Sequence, residues 1–262
     1  MHAAALAEIA RDDPRFADWE YFRFDVAPDR LGEALGTMRG LGFRGVNLTV
    51  PHKVLALGMV SALDPAAADA GAVNTLLADG TGWRGFNTDG YGLAAGIRED
   101  LGLSLRGAPV VLLGAGGAAR GAAVECLRAG CAGLWIVNRT QSNLDALLAL
   151  LAPIATGIPV HGSAHGLPPG AIVINATSAG LRPDDPAPAD LAALPGIAAV
   201  YDMIYNPPRT RLLAQAKALG LPHAGGLGML VHQGAKSLEI WTGVPAARTA
   251  PAMRAAVANA LG

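Results

Sequence analysis

A glycine-rich turn between an apolar strand pattern and an alanine-rich helix pattern constrains this chain more than any other feature. Residues 110–119 are Val-Val-Leu-Leu-Gly-Ala-Gly-Gly-Ala-Ala. Such a turn brings the unpaired N–H groups of a helix N-terminus close to a pyrophosphate, because glycines let the backbone approach the ligand. We therefore predict a dinucleotide-binding unit. The alternative is a glycine turn that only connects a strand to a helix.

Strand and helix patterns alternate around this turn. Helices are predicted at 91–101, 117–129, 141–151 and 208–219, and strands at 109–113, 134–138, 172–175 and 198–202. Strands separated by helices of this length favour right-handed βαβ units and a parallel sheet. The predicted fold class is therefore α/β, with a Rossmann-like dinucleotide-binding domain over residues 89–226.

The chain before residue 89 has a different pattern. It predicts helices at about 2–10 and 29–40, strands at 21–26 and 43–50, and a hairpin of 73–77 with 83–86. Asp79-Gly80, between the hairpin strands, fits the positive φ angles of a two-residue turn. The final segment, 226–262, is helical in pattern with no strand after it, so we expect it to pack back on the first domain. The second predicted domain is thus an α/β substrate domain, 1–88 plus 227–262, with a mixed, mainly parallel sheet.

Composition excludes several classes of function. The chain has 262 residues, a net charge of −1 and two cysteines. It lacks the basic field that nucleic acid or an anionic membrane surface requires, and no apolar run approaches the roughly 18 residues of a membrane span. Cys126 and Cys131 are too few for a disulfide framework, which fits a reducing compartment. We predict a soluble cytoplasmic protein without a secretory signal, whose partner is a small molecule.

Two histidines have a spacing found in metal sites. His161 and His165 lie in a Gly/Pro-rich stretch without a carboxylate or thiol nearby. A zinc site needs more donors than this stretch offers. We therefore predict no metal site.

A lysine and an aspartate stand out as candidates for proton transfer. Lys53 ends the run Asn47-Leu48-Thr49-Val50-Pro51-His52-Lys53, and Asp89 lies in Gly85-Phe86-Asn87-Thr88-Asp89-Gly90. An ammonium beside a carboxylate in a partly closed cleft forms a pair whose protonation can be tuned for catalysis. The alternatives are that Lys53 is a solvated helix residue and that Asp89 only caps the following helix.

The residues after the second strand of the dinucleotide-binding domain indicate which cofactor it binds. An NAD site usually has an acid there, which accepts hydrogen bonds from the ribose 2′-hydroxyl. This chain has Asn138-Arg139-Thr140 instead. An arginine suits the 2′-phosphate of NADP, because guanidinium groups make charge-assisted bonds to phosphate oxygens. We predict NADP; an ordinary exposed arginine is the alternative.

Further polar motifs follow along the chain. They are Gly71-Ala72-Val73-Asn74-Thr75, Asn175-x-Thr177, Asp202-x-x-Tyr205-x-Pro207-x-x-Thr210 and Gly226-x-x-Met229-Leu230-x-x-Gln233. Together with the motifs described above, and in this order, they resemble those of the shikimate dehydrogenase family over nearly the whole chain. The resemblance implies the reversible NADPH-dependent reduction of 3-dehydroshikimate to shikimate, in chorismate and aromatic amino acid biosynthesis.

The resemblance also implies a role for each motif position. Lys53 and Asp89 would form the catalytic pair. The residues binding the substrate hydroxyls and carboxylate would be Thr49, Asn74, Tyr205 and Gln233. The residues holding the cofactor would be Gly114, Ala115, Gly116, Gly117, Ala118, Asn138, Arg139 and Thr140. The residues near the nicotinamide would be Thr177, Met203, Gly226 and Met229.

Two departures from the family pattern weaken these implications. Family members commonly have a second arginine three residues beyond the Asn-Arg-Thr run, where this chain has Asn143. The preference for NADP over NAD is therefore expected to be reduced. The family also begins with a strand and a Ser-x-Ser-Pro segment that binds the substrate carboxylate, whereas this chain starts at the helix that follows. An internal methionine chosen as the start and a true truncation are both compatible with this.

Two other functions compete with the first. One is a related dehydrogenase that acts on quinate or an aminated shikimate. The other is a paralogue without catalytic activity that binds a ligand for regulation, which the missing serine segment favours. The oligomeric state, monomer or homodimer, stays open.

Overall fold

A computed structural model describes residues 1–80, 82–194 and 196–261 of the chain. The chain divides into two compact units, Gly90–Leu230 and the combination of Met1–Asp89 with the segment from Val231 onward. The junctions predicted from the sequence, at 88/89 and 226/227, lie close to these. The functional role of each unit remains a prediction.

The first part of the chain forms short helices and strands. They are α1 (His2–Asp12), α2 (Leu31–Gly40), β1 (Gly45–Asn47), α3 (His52–Leu55), β2 (Ala62–Leu63), α4 (Pro65–Ala70), β3 (Thr75–Ala78) and β4 (Trp83–Phe86). The strands form one sheet in the order β1-β3-β4-β2. This sheet is mixed, as predicted, but β1–β3 and β3–β4 are antiparallel and only β2–β4 is parallel. Parallel pairs therefore do not dominate it. For β3 and β4 the reason is the tight turn between them, because strands joined in this way must run antiparallel.

The hairpin turn differs from the prediction in the place of Asp79. The Asp79 N–H donates to the Gly82 carbonyl at 3.2 Å, which makes these two residues the closing pair. Gly80 has a φ of +84°, and among the described residues other than glycine none has a positive φ. Asp79 therefore does not supply the left-handed conformation assigned to it, and it belongs to the closing pair of the hairpin.

The predicted strand at 21–26 is wrong. The segment has no strand conformation in the structure, and both Phe22 and Phe24 are 56% exposed. One contact that holds the segment is a hydrogen bond of 2.8 Å between His52 Nε2 and the Val26 carbonyl. An apolar pattern sets the faces of a strand, but a strand also needs a neighbouring backbone with which to pair. The strand predicted at 43–50 is likewise shortened to β1.

The second unit contains a parallel sheet with helices. Its elements are α5 (Asp89–Leu101), β5 (Pro109–Leu113), α6 (Gly117–Arg128), β6 (Gly133–Val137), α7 (Gln141–Leu151), β7 (Val160–His161), β8 (Ala171–Asn175), β9 (Ile197–Asp202), α8 (Arg211–Ala218) and β10 (His223–Gly225). The first residue of α5, Asp89, still belongs to the first unit. The order is β10-β9-β8-β5-β6-β7, and every neighbouring pair is parallel. The α/β, Rossmann-like prediction is confirmed, while the short strands β7 and β10 were not predicted.

The central strand of this sheet is buried on both faces. In β5, Val110 and Leu112 belong to one hydrophobic cluster, and Val111 and Leu113 belong to another. Continuous apolar strands of this kind are typical of parallel sheets covered on both sides. The strand order reverses direction between β5 and β8, which is where open α/β sheets bind ligands at the carboxyl ends of their strands.

Two long helices complete the chain. They are α9 (Leu227–Thr242) and α10 (Ala246–Leu261). From Val231 the chain belongs to the same unit as the N-terminal residues, as expected of the C-terminal segment. The Arg248 guanidinium on α10 bonds to the carboxylates of Glu8 and Asp12 on α1. Across the described ranges, none of the helices is both long and apolar enough to cross a bilayer.

Candidate active site

The lysine and aspartate selected from the sequence are in direct contact. Lys53 Nζ donates to Asp89 Oδ2 at 2.7 Å, and the two side chains are 25% and 22% exposed. Lys53 is presented by the short helix α3, which begins directly after Pro51. The pair is therefore partly shielded from solvent and still open to a ligand.

Asp89 does not fit the alternative of a residue that only caps the following helix, because its carboxylate bonds to Lys53 and Asn74. It is the first residue of α5, and its N–H donates to Asn87 Oδ1 at 3.0 Å. The asparagine side chain thus performs the capping task, since a side-chain oxygen accepts from one of the unpaired N–H groups at a helix start. The carboxylate of Asp89 is left to bind Lys53.

Asn74 fixes the other oxygen of the carboxylate. It is only 2% exposed, and its Nδ2 donates to Asp89 Oδ1 at 2.9 Å. Its Oδ1 accepts from the backbone N–H of Thr88 at 2.8 Å. A backbone N–H can only donate, so the amide cannot be reversed. Each oxygen of Asp89 therefore has its own donor.

The structure bonds one further predicted residue to this group, whereas the side chains of two others make no hydrogen bond with it among the described contacts. Gln233, on α9, has its Oε1 3.4 Å from Asn74 Nδ2. Thr49 is exposed, and no side-chain hydrogen bond is seen for it in the described part of the chain. Tyr205 lies in the other unit, after β9, and is 42% exposed. Lys53, Asn74, Asp89 and Gln233 thus form the connected group.

The glycine turn of the second unit has the geometry that a pyrophosphate requires. Gly114 has a φ of +112°, where a side chain would be strained. Side chains at Gly116 and Gly117 would meet no atom within 4 Å, and α6 begins at Gly117. The first N–H groups of that helix lack partners within it and carry partial positive charge. With Ala115 and Ala118 in the same turn, this loop fits a dinucleotide phosphate.

The residues predicted to recognise the 2′-phosphate follow β6. Asn138 Nδ2 donates to the Thr140 carbonyl at 2.8 Å, which folds the turn. Arg139 and Thr140 are both exposed. A guanidinium and a hydroxyl next to the carboxyl end of β6 fit a phosphate at the position where the ribose of a dinucleotide lies.

The residues predicted near the nicotinamide are held by buried contacts. Thr177 Oγ1 donates to Asn175 Oδ1 at 2.7 Å, and Asn175 Nδ2 donates to Asp202 Oδ1 at 2.9 Å. Burial raises the pKa of Asp202, although hydrogen bonds from Thr210, the Ile204 N–H and Asn175 oppose that rise. This network fixes the ends of β8 and β9.

Two of those residues are positioned by close backbone contacts. At Gly226 a Cβ atom would lie 2.1 Å from the Met203 carbonyl oxygen, so only glycine fits. The N–H of Met229, in the first turn of α9, donates to the buried Tyr201 hydroxyl at 3.0 Å.

Three buried hydroxyl residues next to the site were missed from the sequence. Thr75, Thr88 and Ser237 are at most 1% exposed, and the hydroxyls of Thr75 and Ser237 are 2.7 Å apart. One signal was available for Ser237, because it follows Gln233 by four residues on one helix and so lies on the same face.

Comparison with known proteins identifies what the chain resembles. The family model for the shikimate dehydrogenase substrate binding domain matches residues 10–76, and that for the shikimate 5′-dehydrogenase C-terminal domain matches 226–258. The shikimate dehydrogenase (NADP(+)) of Citrifermentans bemidjiense is 40% identical over 250 residues, which are 93% of this chain and 84% of that protein.

Two solved structures are similar over nearly their whole length. The shikimate 5-dehydrogenase of Thermus thermophilus in complex with NADP(H) and shikimate is 34% identical, with a TM-score of 0.78 over 97% of this chain and 95% of that one. The ligand-free 5-ketofructose reductase of Gluconobacter sp. strain CHM43 is 36% identical, with a TM-score of 0.82 over 96% of this chain and 92% of that one.

Proposed function

The chain belongs to the shikimate dehydrogenase family, and from this we propose how its residues perform the family reaction. It is an NADP-dependent oxidoreductase that acts on a CH–OH group and interconverts 3-dehydroshikimate and shikimate in aromatic amino acid biosynthesis. The observation that carries the assignment of roles is the 2.7 Å contact of Lys53 Nζ with Asp89 Oδ2.

Reduction of a ketone needs a hydride at carbon and a proton at oxygen. When bound, NADPH supplies the hydride. We assign the proton to the Lys53 ammonium, which also stabilises the negative charge that develops on the carbonyl oxygen. Asp89 keeps the ammonium in place and, in the reverse direction, takes part in removing the proton of the substrate hydroxyl. For each ketone reduced, the Lys53/Asp89 pair gives up one proton, and it must regain one before the next turnover.

The neighbouring amides fit a polyhydroxylated substrate. Asn74 and Gln233 lie beside the catalytic pair, with their amide groups 3.4 Å apart. Amides both donate and accept, so they can bind ring hydroxyls without a change of protonation. We assign Asn74 and Gln233 to the substrate hydroxyls and carboxylate, with Thr49 and Tyr205 as further ligands from exposed positions.

The cofactor roles rest on the second unit. We assign the pyrophosphate to the turn from Gly114 to Ala118, and the 2′-phosphate to Asn138, Arg139 and Thr140. Thr177, Met203, Gly226 and Met229 would lie beside the nicotinamide ring. The open space at Gly116 and Gly117 supports the first of these assignments.

A second candidate reaction is the reduction of a keto-sugar without a carboxylate. The similarity to the 5-ketofructose reductase, at 36% identity, favours it. The same lysine and aspartate would serve, because both reactions add a hydride and a proton to a ketone. The keto-sugar lacks the carboxylate that 3-dehydroshikimate carries, so substrate specificity would depend on the residues that face that group.

Steady-state kinetics with the purified chain separates these possibilities. We expect NADP reduction with shikimate at a kcat/KM at least a hundredfold above the values for quinate and for the reduced form of 5-ketofructose. Preferential turnover of either alternative would replace the substrate assignment. The absence of turnover with all three substrates, by folded protein that still binds NADP, would favour a ligand-binding paralogue.

We further infer a cytoplasmic enzyme that acts without nucleic acid. A net charge of −1 supports this, since binding to a polyanion relies on a positive field. The unpaired, buried thiols of Cys126 and Cys131 are compatible with a reducing compartment.

The oligomeric state, monomer or homodimer, is a separate question. Light scattering of the purified protein at its assay concentration measures the mass in solution. A mass near 26.6 kDa would indicate a monomer, and twice that mass would indicate a homodimer.

A further inference from the structure

Asn47 stands out in the sequence but has no role in the site described above. It is the last residue of β1, in the run that ends at Lys53. Its Nδ2 lies 2.9 Å from Ser237 Oγ, 3.1 Å from Thr75 Oγ1 and 3.2 Å from the Asn74 carbonyl oxygen. One amide therefore contacts Thr75 of β3, Asn74 directly before that strand, and Ser237 of α9, which is distant in sequence.

The orientation of this amide is determined by its partners. The Asn74 carbonyl can only accept, so the Nδ2 side of Asn47 must face it. The opposite atom, Oδ1, then accepts from the Tyr21 hydroxyl at 3.0 Å. Burial raises the pKa of Tyr21, which keeps this hydroxyl protonated and able to donate. Both ends of the Asn47 amide are thus satisfied in one arrangement only.

Through these contacts Asn47 reaches two residues assigned to the substrate. It bonds directly to the backbone of Asn74. It also bonds to Ser237 Oγ, which donates to the Gln233 carbonyl one turn earlier on α9 at 3.0 Å. Asn74 and Gln233 belong to different elements, so the distance between their amides depends on how closely β3 and α9 are held together.

The strand pairing does not depend on Asn47. The Asn74 carbonyl also accepts from the Leu48 N–H at 2.8 Å, and β1 pairs with β3 through backbone bonds. Loss of the Asn47 amide would therefore leave the sheet intact. It would remove one of the bonds to α9, while the Thr75–Ser237 contact and the bond from Trp241 Nε1 to the Leu76 carbonyl remain. A selective effect on the substrate is expected, not a general loss of structure.

We propose that Asn47 is a positioning residue of the dehydrogenase, which sets the spacing of Asn74 and Gln233 by linking β3 to α9. This inference rests on the proposed function, in which those two amides bind the substrate. Asn47 itself acts through its neighbours. Its contribution is the geometry in which the substrate meets the catalytic pair, where small displacements reduce the rate strongly.

Steady-state kinetics of Asn47→Ala and Asn47→Asp tests the proposal. Asn47→Ala removes the amide, and Asn47→Asp keeps its shape but turns an acceptor toward the Asn74 carbonyl. We expect each to raise the KM for shikimate about tenfold and to lower kcat, with the KM for NADP changed less than twofold. Asn259→Asp, the same chemical change at an exposed site on α10, is the matched control and should match the parent.

A double-mutant cycle separates positioning from a purely structural role. If Asn47 acts through Gln233, then Asn47→Ala should cost much less in a Gln233→Ala background than in the parent. Additive losses, or a shikimate KM and kcat within twofold of the parent in folded Asn47→Ala, would overturn the proposal. Parent protein without shikimate turnover would instead refute the proposed function.

If Asn47→Ala does not fold, Tyr21→Phe and Ser237→Ala answer the same question. Each removes one partner of the amide and retains the rest, and thermal melting reports whether the variant is folded. The proposal requires Ser237→Ala to raise the shikimate KM severalfold and to be non-additive with Gln233→Ala. Unchanged kinetics in both folded variants would refute it.

Discussion

At the scale of single residues, the backbone N–H of Thr88 decides the chemistry that Asn74 offers. If the Asn74 amide were reversed, its oxygen would face both Asp89 and Gln233 Oε1, and acceptors would oppose one another. The N–H of Thr88, 2.8 Å from Asn74 Oδ1, prevents this. Asp89 therefore receives one donor on each oxygen and keeps a fixed orientation toward Lys53.

Lys53→Ala should abolish most of the activity while leaving the protein folded. General acid–base catalysis contributes about 10²–10⁴ in rate, so we expect kcat to fall by at least that range, with a smaller change in the KM for shikimate. Stopped-flow and steady-state assays measure both. Lys217→Ala, at an exposed lysine of α8, is the control. Turnover of Lys53→Ala within tenfold of the parent would rule out the assigned role.

Arg139→Ala should weaken the binding of NADP and leave the binding of NAD nearly unchanged. Charge-assisted bonds to phosphate contribute more than neutral ones, so their loss should raise the KM for NADP about 10- to 100-fold. NAD has no 2′-phosphate, and its KM should stay within about twofold on the same argument. Arg106→Ala, at an exposed arginine of the same unit, is the control. Equal effects on both cofactors would exclude a 2′-phosphate contact.

At the scale of elements, two helix glycines illustrate opposite constraints. Gly121 lies inside α6, where an added Cβ would meet nothing within 4 Å. Gly96 lies inside α5, where an added Cβ would be 2.5 Å from the Tyr201 hydroxyl and 2.8 Å from the Met229 backbone nitrogen. Both residues are glycines inside a helix, so the local sequence predicts the same effect of substitution at each. The atoms packed around them differ, and so should the effects.

Exchange of each glycine for alanine should therefore change stability in opposite directions. Gly121→Ala should stabilise the protein by about 0.5–1 kcal/mol, because alanine loses less backbone entropy in a helix. Gly96→Ala should destabilise it by about 1–3 kcal/mol, since the backbone of Met229 cannot yield without moving the start of α9. Urea unfolding of the two variants measures this. Stabilisation by both substitutions would show that the contact at Gly96 relaxes freely.

At the scale of the whole molecule, a buried histidine links stability to pH. His2 is 5% exposed, and its ring stacks on Tyr21 with centroids 4.2 Å apart. Burial, together with the neighbouring N-terminal charge, lowers the pKa of His2 from 6.5 to about 4. Between these two values the unfolded chain binds a proton that the folded chain does not. Stability is therefore complete above pH 6.5 and is lost as the pH falls toward 4.

His2→Phe should flatten this pH dependence. Protonation of the unfolded chain at His2 should lower the free energy of unfolding by about 2 kcal/mol between pH 7 and pH 5, at 1.36 kcal/mol for each pKa unit. Phenylalanine keeps a ring against Tyr21 and cannot titrate. Urea unfolding followed by tryptophan fluorescence measures both slopes, and His165→Gln, at an exposed histidine, should retain the parental slope. An unchanged slope in His2→Phe would mean that other groups cause the loss.

Much of the fold followed from local sequence patterns. The βαβ alternation predicted the strands and helices of the second unit, because periodicity and glycine turns act over a few residues. The 21–26 segment shows the limit of such patterns, since its alternation is real but none of the described strands pairs with it. The turn after Asp79 shows another limit, because only glycine among the described residues takes a positive φ.

The candidate site was predicted in its chemistry but not in its architecture. The residue types and motif order predicted Lys53, Asp89 and the glycine turn as site residues, because each chemical task demands particular groups. Only the tertiary structure decided which way the Asn74 amide faces. The tertiary structure alone brought Asn47 next to Ser237, which lies 190 positions away in the sequence. Hydrogen bonds between distant elements depend on packing in three dimensions, and no local pattern in the chain encodes their geometry.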